Sequence, residues 1–272
     1  MNLQGTRLRL AGLVLTACVG LLAQTPGTVI KFPSLDKKHD VSGTLYLPGQ
    51  GTAPCPALVV VHGTSGINQV GAFYREPVLH AGIAYFEVDF KTGVFTSPMD
   101  RPEPDVFVPM GFAALKELRK TPGIDPRRIG IMGFSMGGHL TVNTAFEANR
   151  KAWMGADEGF KTHVAFFPVC RGFVSRSDLK MTGAPMIILY GTEDCYGEGK
   201  YVPEFQKLLK GKAGFDATVV AYPGAGHDFN RNGPPVRYRD PAAIDQKGLM
   251  IYDAKAADDS LARVLDFLQQ TL

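Results

Sequence analysis

The sequence predicts an α/β domain with a mostly parallel central sheet and helices on both faces of that sheet. Short apolar, β-branched segments alternate along the chain with segments of helical periodicity, which is typical of β-α-β units. One of the apolar segments, residues 56–62, is an unbroken run, as expected for a central strand covered on both faces. These two observations favour one parallel sheet over separate all-α or all-β units.

The individual elements follow from the same patterns. Strands are predicted where β-branched and aromatic residues cluster between turn residues: 28–32, 42–47, 56–62, 83–90, 128–134, 163–168, 185–190 and 217–222. The first two are short, which favours an antiparallel edge. Helices are predicted where apolar residues recur at helical spacing: 74–81, 105–120, 138–149, 200–210 and 254–270. Residues 91–104 and 230–253 remain as long loops, which are usually functional or mobile.

Residues 1–23 are interpreted as an export signal. Residues 1–9 contain Arg7 and Arg9 and no acidic residue, and they precede the apolar segment 10–23. A helix of about 14 residues is about 21 Å long, too short for a bilayer core of about 30 Å. The protein is therefore expected to be exported, to a bacterial periplasm or outside the cell, with residues 24–272 as a single domain.

Two processing routes remain open for this signal. Small residues permit cleavage after Gly20 or after Ala23. Residues 15–18 also resemble a bacterial lipobox, in which Cys18 would carry the lipid and hold the protein at a membrane. Because apolar residues continue beyond Cys18, we favour the soluble exported form.

Composition excludes several classes of protein. The 272 residues are 45% hydrophobic and 10% aromatic, which is too apolar for a disordered chain. The net charge is only +3, and without Arg7 and Arg9 the 29 basic residues fall to 27 against 26 acidic ones. Because nucleic-acid binding needs a concentrated basic surface, no nucleic-acid partner is expected.

A candidate nucleophile follows the strand that ends at residue 134. Residues 133–137 read G-x-S-x-G around Ser135, directly after an apolar strand and directly before a predicted helix. That context is typical of a nucleophile elbow, a tight strand-to-helix turn that exposes the serine hydroxyl above the sheet. The alternative is an ordinary glycine-rich turn, which the context makes less favourable.

Serine needs a base that accepts its proton, and the base needs an acid that orients it. His227 follows the last predicted strand, in the chain order Ser, Asp, His that this arrangement requires. His62 also lies at a strand end, but it precedes the serine. Asp194 follows the strand before that of the histidine, and we favour it over its neighbour Glu193.

An oxyanion hole needs two backbone donors near the nucleophile. The first is the N–H group of Met136, which directly follows Ser135. The second is expected from the loop 62–66, which follows the central apolar strand.

At this point the sequence resembles the dienelactone hydrolase family of α/β-hydrolases over nearly the whole mature chain. The likeness lies in residues 62–68 (HGTSGIN), 124–138 (IDPRRIGIMGFSMGG), 222–229 (YPGAGHDF) and 252–257 (YDAKAA). It implies an α/β-hydrolase fold and supports Ser135, Asp194 and His227 at the triad positions. It also favours the N–H group of Thr64 over that of Gly63 as the second oxyanion donor.

One departure from the family pattern affects the substrate. The name-giving enzymes carry a cysteine nucleophile and a nearby glutamate, where this chain has Ser135 and Gly63. We therefore expect a serine hydrolase that cleaves a small carboxylic ester or lactone through an acyl-serine, without a cofactor. The alternatives are a serine peptidase of short peptides and a non-catalytic binding protein. Peptidases with this fold usually carry an extra domain that gates the substrate, and this chain has no room for one, which disfavours the peptidase. A binding protein has no need for all three triad residues, which disfavours the non-catalytic alternative.

The remaining cysteines and basic residues carry weaker predictions. Cys170 and Cys195 each follow one of two successive strands, so a disulfide between them is a hypothesis, and two free thiols are the alternative. Cys55 is expected to be a free thiol. The Cys and His spacing is not that of a zinc site. Three arginines follow the candidate base and are favoured as surface charges over a binding site for a substrate carboxylate: Arg231, Arg237 and Arg239.

Overall fold

The structure is a computed structural model that describes residues 26–49, 53–91, 104–244 and 246–272. Its strands are β1 (Thr28–Pro33), β2 (Asp40–Tyr46), β3 (Cys55–Val61), β4 (Ala84–Asp89), β5 (Ile124–Phe134), β6 (His163–Phe166), β7 (Met186–Gly191), β8 (Thr218–Tyr222), β9 (Val236–Arg239) and β10 (Lys247–Met250). The first eight form one sheet in the order β1-β2-β4-β3-β5-β6-β7-β8. The predicted α/β architecture is confirmed.

The sheet is parallel except at one edge. Strand β1 pairs antiparallel with β2, and β2 pairs antiparallel with β4, as the short N-terminal strands predict. Strands β4, β3, β5, β6, β7 and β8 pair in parallel. The strand order reverses at β3, and in open parallel sheets ligands bind beyond the carboxyl ends of the strands at such a reversal.

Helices cover both faces of the sheet: α1 (Gln69–His80), α2 (Pro104–Leu118), α3 (Met136–Thr144), α4 (Glu147–Met154), α5 (Glu198–Leu208) and α6 (Ala254–Thr271). Side chains alternate between faces along β3. Val59 and Val61 pack in the cluster that includes α2, whereas Leu58 and Val60 pack in the cluster that includes α1 and α6. This double burial explains why β3 is apolar at consecutive positions.

The predicted helix 138–149 is two helices. Helix α3 ends at Thr144 and α4 begins at Glu147, because Phe146 has extended backbone angles (φ −74°, ψ 131°) and forms a bridge with Met181. The Glu147 N–H group donates to the carbonyl of Lys180 at 2.8 Å. A partner distant in sequence therefore interrupts a segment that is helical by its own pattern.

The predicted loop 230–253 contains the antiparallel pair β9 and β10. Each strand has only four residues, and arginine and glycine weaken their apolar signal. Met250 at the end of β10 also forms a bridge with His227, which holds the pair beside the end of β8. The other predicted loop lies almost entirely outside the described residues.

The predictions for the N-terminus also fall outside the described residues. The export signal 1–23, its cleavage after Gly20 or Ala23 and the lipobox at Cys18 stay predictions, as does the single mature domain 24–272. In the part of the chain that the structure describes, no helix is long and apolar enough to cross a membrane.

Candidate active site

Ser135 occupies a tight turn between β5 and α3. Its backbone has φ 53° and ψ −111°, a combination that side-chain-bearing residues rarely adopt. Two hydrogen bonds hold this conformation: its N–H group donates to the carbonyl of Phe166 at 3.0 Å, and its carbonyl accepts from the N–H group of His139 at 2.9 Å. The turn has the strained geometry of a nucleophile elbow.

The two glycines of the G-x-S-x-G motif are required by close backbone packing. A Cβ atom at Gly133 would lie 2.0 Å from the carbonyl oxygen of Gly137, and one at Gly137 would lie 2.3 Å from the carbonyl oxygen of Val61. Strand β5, helix α3 and strand β3 therefore approach too closely for a side chain at either position. This packing is the physical reason for the sequence motif.

Three side chains predicted from separate parts of the sequence meet at the carboxyl ends of the strands. His227 Nε2 lies 2.9 Å from Ser135 Oγ, and His227 Nδ1 lies 2.7 Å from Asp194 Oδ2. The three residues follow β5, β7 and β8, the order expected for this fold. A proton on Nδ1, donated to the carboxylate, leaves Nε2 free to accept the serine proton.

The histidine and its acid are almost fully removed from water. His227 is 2% exposed and Asp194 is 5% exposed. Burial alone lowers the pKa of His227, but the charge of Asp194 and the hydrogen bond to it, with smaller contributions from Asp228 and Glu198, raise the pKa to about 9. The contact with Asp194 therefore stabilises the imidazolium form of His227, which is the form that results when the ring accepts a proton as a base.

The structure distinguishes Asp194 from its neighbour. Both carboxylate oxygens of Asp194 are engaged, since Oδ1 accepts the N–H group of Tyr196 at 2.8 Å while Oδ2 faces His227. Glu193 is exposed and lines a different cavity from that of Ser135. Only Asp194 contacts the histidine.

Two residues near the candidate triad, Tyr196 and Asp240, were not indicated by any sequence pattern. The ring of Tyr196 lies 4.6 Å from that of His227 in an edge-to-face arrangement, and its hydroxyl donates to Asp240 Oδ2 at 2.7 Å. Asp240 is 44 residues further along the chain, beside β9. This hydrogen bond ties the loop of the acid to the β9–β10 segment, a contact that no local pattern indicates.

The predicted disulfide is not formed: Cys170 and Cys195 are free, as is Cys55. Cys170 is fully buried in the core, and its N–H group donates to Glu198 Oε2 at 2.8 Å. Cys195 instead lines a separate cavity beside β10, near Leu249. The two cysteines follow successive strands, but they belong to different environments.

Mass spectrometry provides a test of these thiols. Alkylation of the denatured protein is expected to modify both Cys170 and Cys195 without any reductant, because no bond joins their sulfurs. Peptide mapping with and without prior reduction should give the same masses. Labelling of this pair only after reduction would contradict the structure.

The loop after β3 approaches Ser135 closely. A Cβ atom at Gly63 would lie 3.3 Å from Ser135 Cβ, and Thr64 lines the same cavity as the serine hydroxyl. The Gly63 carbonyl accepts the N–H group of Gly66 at 3.1 Å and lies 2.6 Å from His62 Nδ1. Since one rigid peptide unit carries the Gly63 carbonyl and the Thr64 N–H group, these contacts fix the direction of that N–H group.

A cavity of about 480 Å³ opens beside Ser135 and His227. Thr64, predicted as an oxyanion donor, lines it, and Met136 begins α3, where backbone N–H groups lack partners within the helix. Arg231 also lines the cavity, whereas Arg237 and Arg239 are exposed on β9. Within the described ranges, no group of three or more His, Cys, Asp or Glu side chains is arranged to hold a metal ion.

Comparison with known proteins identifies the family. A sequence profile of the dienelactone hydrolase family matches residues 92–272, about two thirds of the chain. The chain belongs to the dienelactone hydrolase family. The resemblance drawn from the sequence motifs is therefore confirmed, and the protein is a dienelactone hydrolase-like carboxylic ester hydrolase.

Individual relatives of this dienelactone hydrolase family member are distant. A Yersinia pestis protein named "Putative carboxymethylenebutenolidase" is 26% identical over 82% of this chain and 81% of its own length. Esterase 2 of Thermogutta terrifontis, solved after phosphorylation by paraoxon, has a TM-score of 0.65 at 20% identity, covering 91% of this chain and 95% of its own. A dienelactone hydrolase-like promiscuous phosphotriesterase from metagenomic libraries has a TM-score of 0.63 at 19% identity, covering 90% and 98%. The structural likenesses support the fold.

Proposed function

We propose that Ser135, His227 and Asp194 form a catalytic triad that hydrolyses small carboxylic esters or lactones through an acyl-serine intermediate. The observation that carries the proposal is the unbroken hydrogen-bonded series from Ser135 Oγ through His227 to Asp194, at 2.9 and 2.7 Å. Ser135 and His227 in this series line a cavity of about 480 Å³, a size suited to a small-molecule substrate.

In the first half of the reaction, Ser135 Oγ attacks the ester carbonyl carbon while His227 Nε2 takes up the hydroxyl proton. The carbonyl oxygen becomes negatively charged and accepts hydrogen bonds from the N–H groups of Met136 and Thr64. The C–O bond to the alcohol then breaks, and His227 returns the proton to the leaving alkoxide oxygen. An acyl-serine and a free alcohol result.

In the second half, a water molecule replaces the alcohol. His227 accepts a proton from that water as its oxygen attacks the acyl carbon, and the same two N–H groups stabilise the second tetrahedral intermediate. Collapse releases the carboxylic acid and returns the proton to Ser135 Oγ. Asp194 holds the tautomer of His227 in both halves of the reaction and stabilises its imidazolium form.

Labelling with a fluorophosphonate tests the nucleophile directly. The probe phosphonylates a serine only where a base and oxyanion donors activate it. We expect one adduct per chain, mapped to the peptide that contains Ser135. Absence of an adduct on an enzyme that hydrolyses aryl esters, or an adduct mapped elsewhere, would refute the proposed nucleophile.

The activity of the enzyme is expected to rise with pH. His227 acts as a base only when neutral, and its pKa is raised to about 9, so kcat/KM should increase about tenfold per pH unit below that value and level off above it. By the same coupling, the contribution of this pair to stability is full below pH 6.5 and is lost as pH rises through about 9. A pH profile of aryl ester hydrolysis that falls from neutral to alkaline pH would contradict the assignment.

His62 is expected to act as a positioning residue for the Thr64 N–H group. Its Nε2 accepts the N–H group of Phe90 at 3.1 Å, so Nδ1 carries the proton that it donates to the Gly63 carbonyl. The change His62→Leu is expected to lower kcat about 10- to 100-fold with little effect on KM, because an oxyanion donor acts on the transition state. His62→Asn keeps an amide donor near Nδ1 and should recover much of the rate; equal losses in both variants would argue for a purely structural role.

We also propose that residues 1–23 contain a cleavable export signal. The support is the Arg7 and Arg9 pair ahead of the apolar segment 10–23. The N-terminal mass of the protein from a bacterial periplasm tests this: a start at residue 21 or 24 supports soluble export, and a lipidated Cys18 supports the membrane-held form. An intact N-terminus in the cytoplasm would refute export.

A further inference from the structure

We propose that Glu87 is a second anchor in the catalytic cavity, which accepts a hydrogen bond from a hydroxyl group on one arm of the ester substrate. The inference rests on the proposed function of Ser135 and adds a substrate class to it: esters that carry an uncharged hydrogen-bond donor at a distance from the scissile bond. It arises from the position of this carboxyl group, its surroundings and its unused hydrogen-bonding capacity.

Glu87 lies on the sheet face covered by α1. Its neighbour on that face of β4, Tyr85, is buried in the same core cluster as α1. Glu87 is in register with Val60 of β3, and Val60 with Met132 of β5. Glu87 is thus two strand spacings away from β5, and Ser135 lies three residues further along the chain than Met132. Together these offsets place the Cα atoms of Glu87 and Ser135 about 14 Å apart.

One continuous cavity joins these two distant positions. Both Glu87 and Ser135 line the cavity of about 480 Å³, and apolar side chains such as Val60, Val70 and Phe134 line it as well. A substrate whose ester group lies at Ser135 can therefore extend an apolar arm toward Glu87. A donor group at the end of that arm would meet the carboxyl oxygens.

The Glu87 carboxyl group is buried but has unused hydrogen-bonding capacity. It is 7% exposed, and burial raises its pKa, which the charge of Arg75 opposes. Arg75 Nη1 lies 3.7 Å from Glu87 Oε2, an ion-pair contact too long for a hydrogen bond. Across the described residues, no hydrogen bond reaches this carboxyl group, and neither of its oxygens is among the fully buried polar atoms without a partner. Both oxygens are therefore accessible to a ligand in the cavity.

The surroundings of Glu87 favour an uncharged donor. Arg75 already supplies a positive charge to Glu87, and its guanidinium also stacks on the ring of Tyr46 at 4.6 Å. An ammonium group in the cavity would be attracted by Glu87 but repelled by Arg75, and a carboxylate would meet the opposite pair of forces. A charged group therefore gains little net attraction to offset the cost of leaving water. A hydroxyl group has a smaller desolvation cost and still donates a hydrogen bond.

The chain leaves room for a ligand beside this carboxyl group. Gly71 of α1 lines the cavity, and a Cβ atom there would lie only 3.1 Å from Glu87 Oε1. The absence of a side chain at Gly71 therefore keeps the approach to Oε1 open. A larger residue at this position would press on the carboxyl group.

The experiment compares matched pairs of esters with the wild-type enzyme. The first series consists of aryl esters of unbranched alkanoic acids of increasing length, each compared with the aryl ester of the acid that carries a hydroxyl group at its far end. The second series consists of acetate esters of unbranched alcohols of increasing length, each compared with the acetate whose alcohol arm carries a hydroxyl group at its far end. Once the arm is long enough to reach Glu87, we expect kcat/KM for the hydroxy ester to exceed that for the alkyl ester of equal length by about tenfold or more in one series.

Variants then assign the preference to Glu87. Glu87→Leu is expected to abolish the preference for the hydroxy ester, and Glu87→Gln, which keeps an accepting oxygen, to retain most of it. The matched control is Glu76→Gln. The side chain of Glu76 lies 3.9 Å from Arg75, but it is 47% exposed and does not line the cavity, so the ratio should be unchanged. Because each value is the kcat/KM for the hydroxy ester divided by that for the alkyl ester, a reduced fraction of active enzyme in a variant affects both terms equally and leaves the ratio unchanged.

The outcomes separate this inference from the proposed function. Hydrolysis of none of the esters would contradict the triad at Ser135 rather than the anchor. Hydrolysis of all of them with no hydroxy preference in either series would overturn the anchor and leave the triad intact. A preference that persists in Glu87→Leu would also overturn it, since another group would then bind the hydroxyl.

Discussion

Replacement of Ser135 with alanine is expected to lower kcat/KM for ester hydrolysis by a factor of about 10⁴ to 10⁶. The change removes the attacking oxygen, so no acyl-serine can form, and only the oxyanion donors and substrate binding still act on the ester. Because His227 Nε2 faces Ser135 Oγ at 2.9 Å, the change also removes the group whose proton the histidine accepts.

The comparison uses purified wild type, Ser135→Ala and a matched serine variant. Ser175 is exposed and its hydroxyl donates to the nearby Gly172 carbonyl at 3.2 Å, so Ser175→Ala serves as the control with unchanged activity. Fluorophosphonate labelling should disappear in Ser135→Ala alone. Residual activity of Ser135→Ala within tenfold of wild type would mean that another residue carries the chemistry.

The change Asp194→Asn is expected to lower kcat by about 10⁴. An amide in this position can donate to Nδ1, which moves the ring proton to Nε2 and prevents that nitrogen from accepting the serine proton. The change also removes the charge that raises the pKa of His227 to about 9, so the rise of the remaining activity with pH should shift to lower pH.

The neighbouring acid supplies the control for this change. Glu193→Gln alters an exposed carboxylate one residue away, and its kcat is expected to stay close to that of wild type. Steady-state kinetics of both variants across a pH series test the assignment together. A large loss in Glu193→Gln with a small loss in Asp194→Asn would reverse the choice between the two acids.

Much of this site could be predicted from the sequence because its parts are set by short-range constraints. Gly133 and Gly137 are fixed by backbone packing around the turn of Ser135, so their spacing indicates the elbow. The positions of Asp194 and His227 follow from chain order, since each residue comes after a parallel strand whose carboxyl end lies at the same edge of the sheet.

Other features could not be predicted because they depend on contacts between distant segments. The break between α3 and α4 results from the bridge between Phe146 and Met181, which a helical pattern does not reveal. The disulfide prediction was wrong because two cysteines after successive strands can still face different environments. The hydrogen bond between Tyr196 and Asp240 likewise joins two loops that no local signal relates.

The sequence by itself determined the fold class, the nucleophile turn and the chain order of the candidate triad, because apolar periodicity and glycine packing act over a few residues. Tertiary structure alone decided which polar groups share the cavity with Ser135. Glu87 lies within a β-strand and reads as an ordinary strand residue; only the register of β4, β3 and β5 and the open position at Gly71 bring its carboxyl group into that cavity. Local patterns specify backbone geometry, whereas the chemistry of a cavity depends on which distant side chains fold toward it.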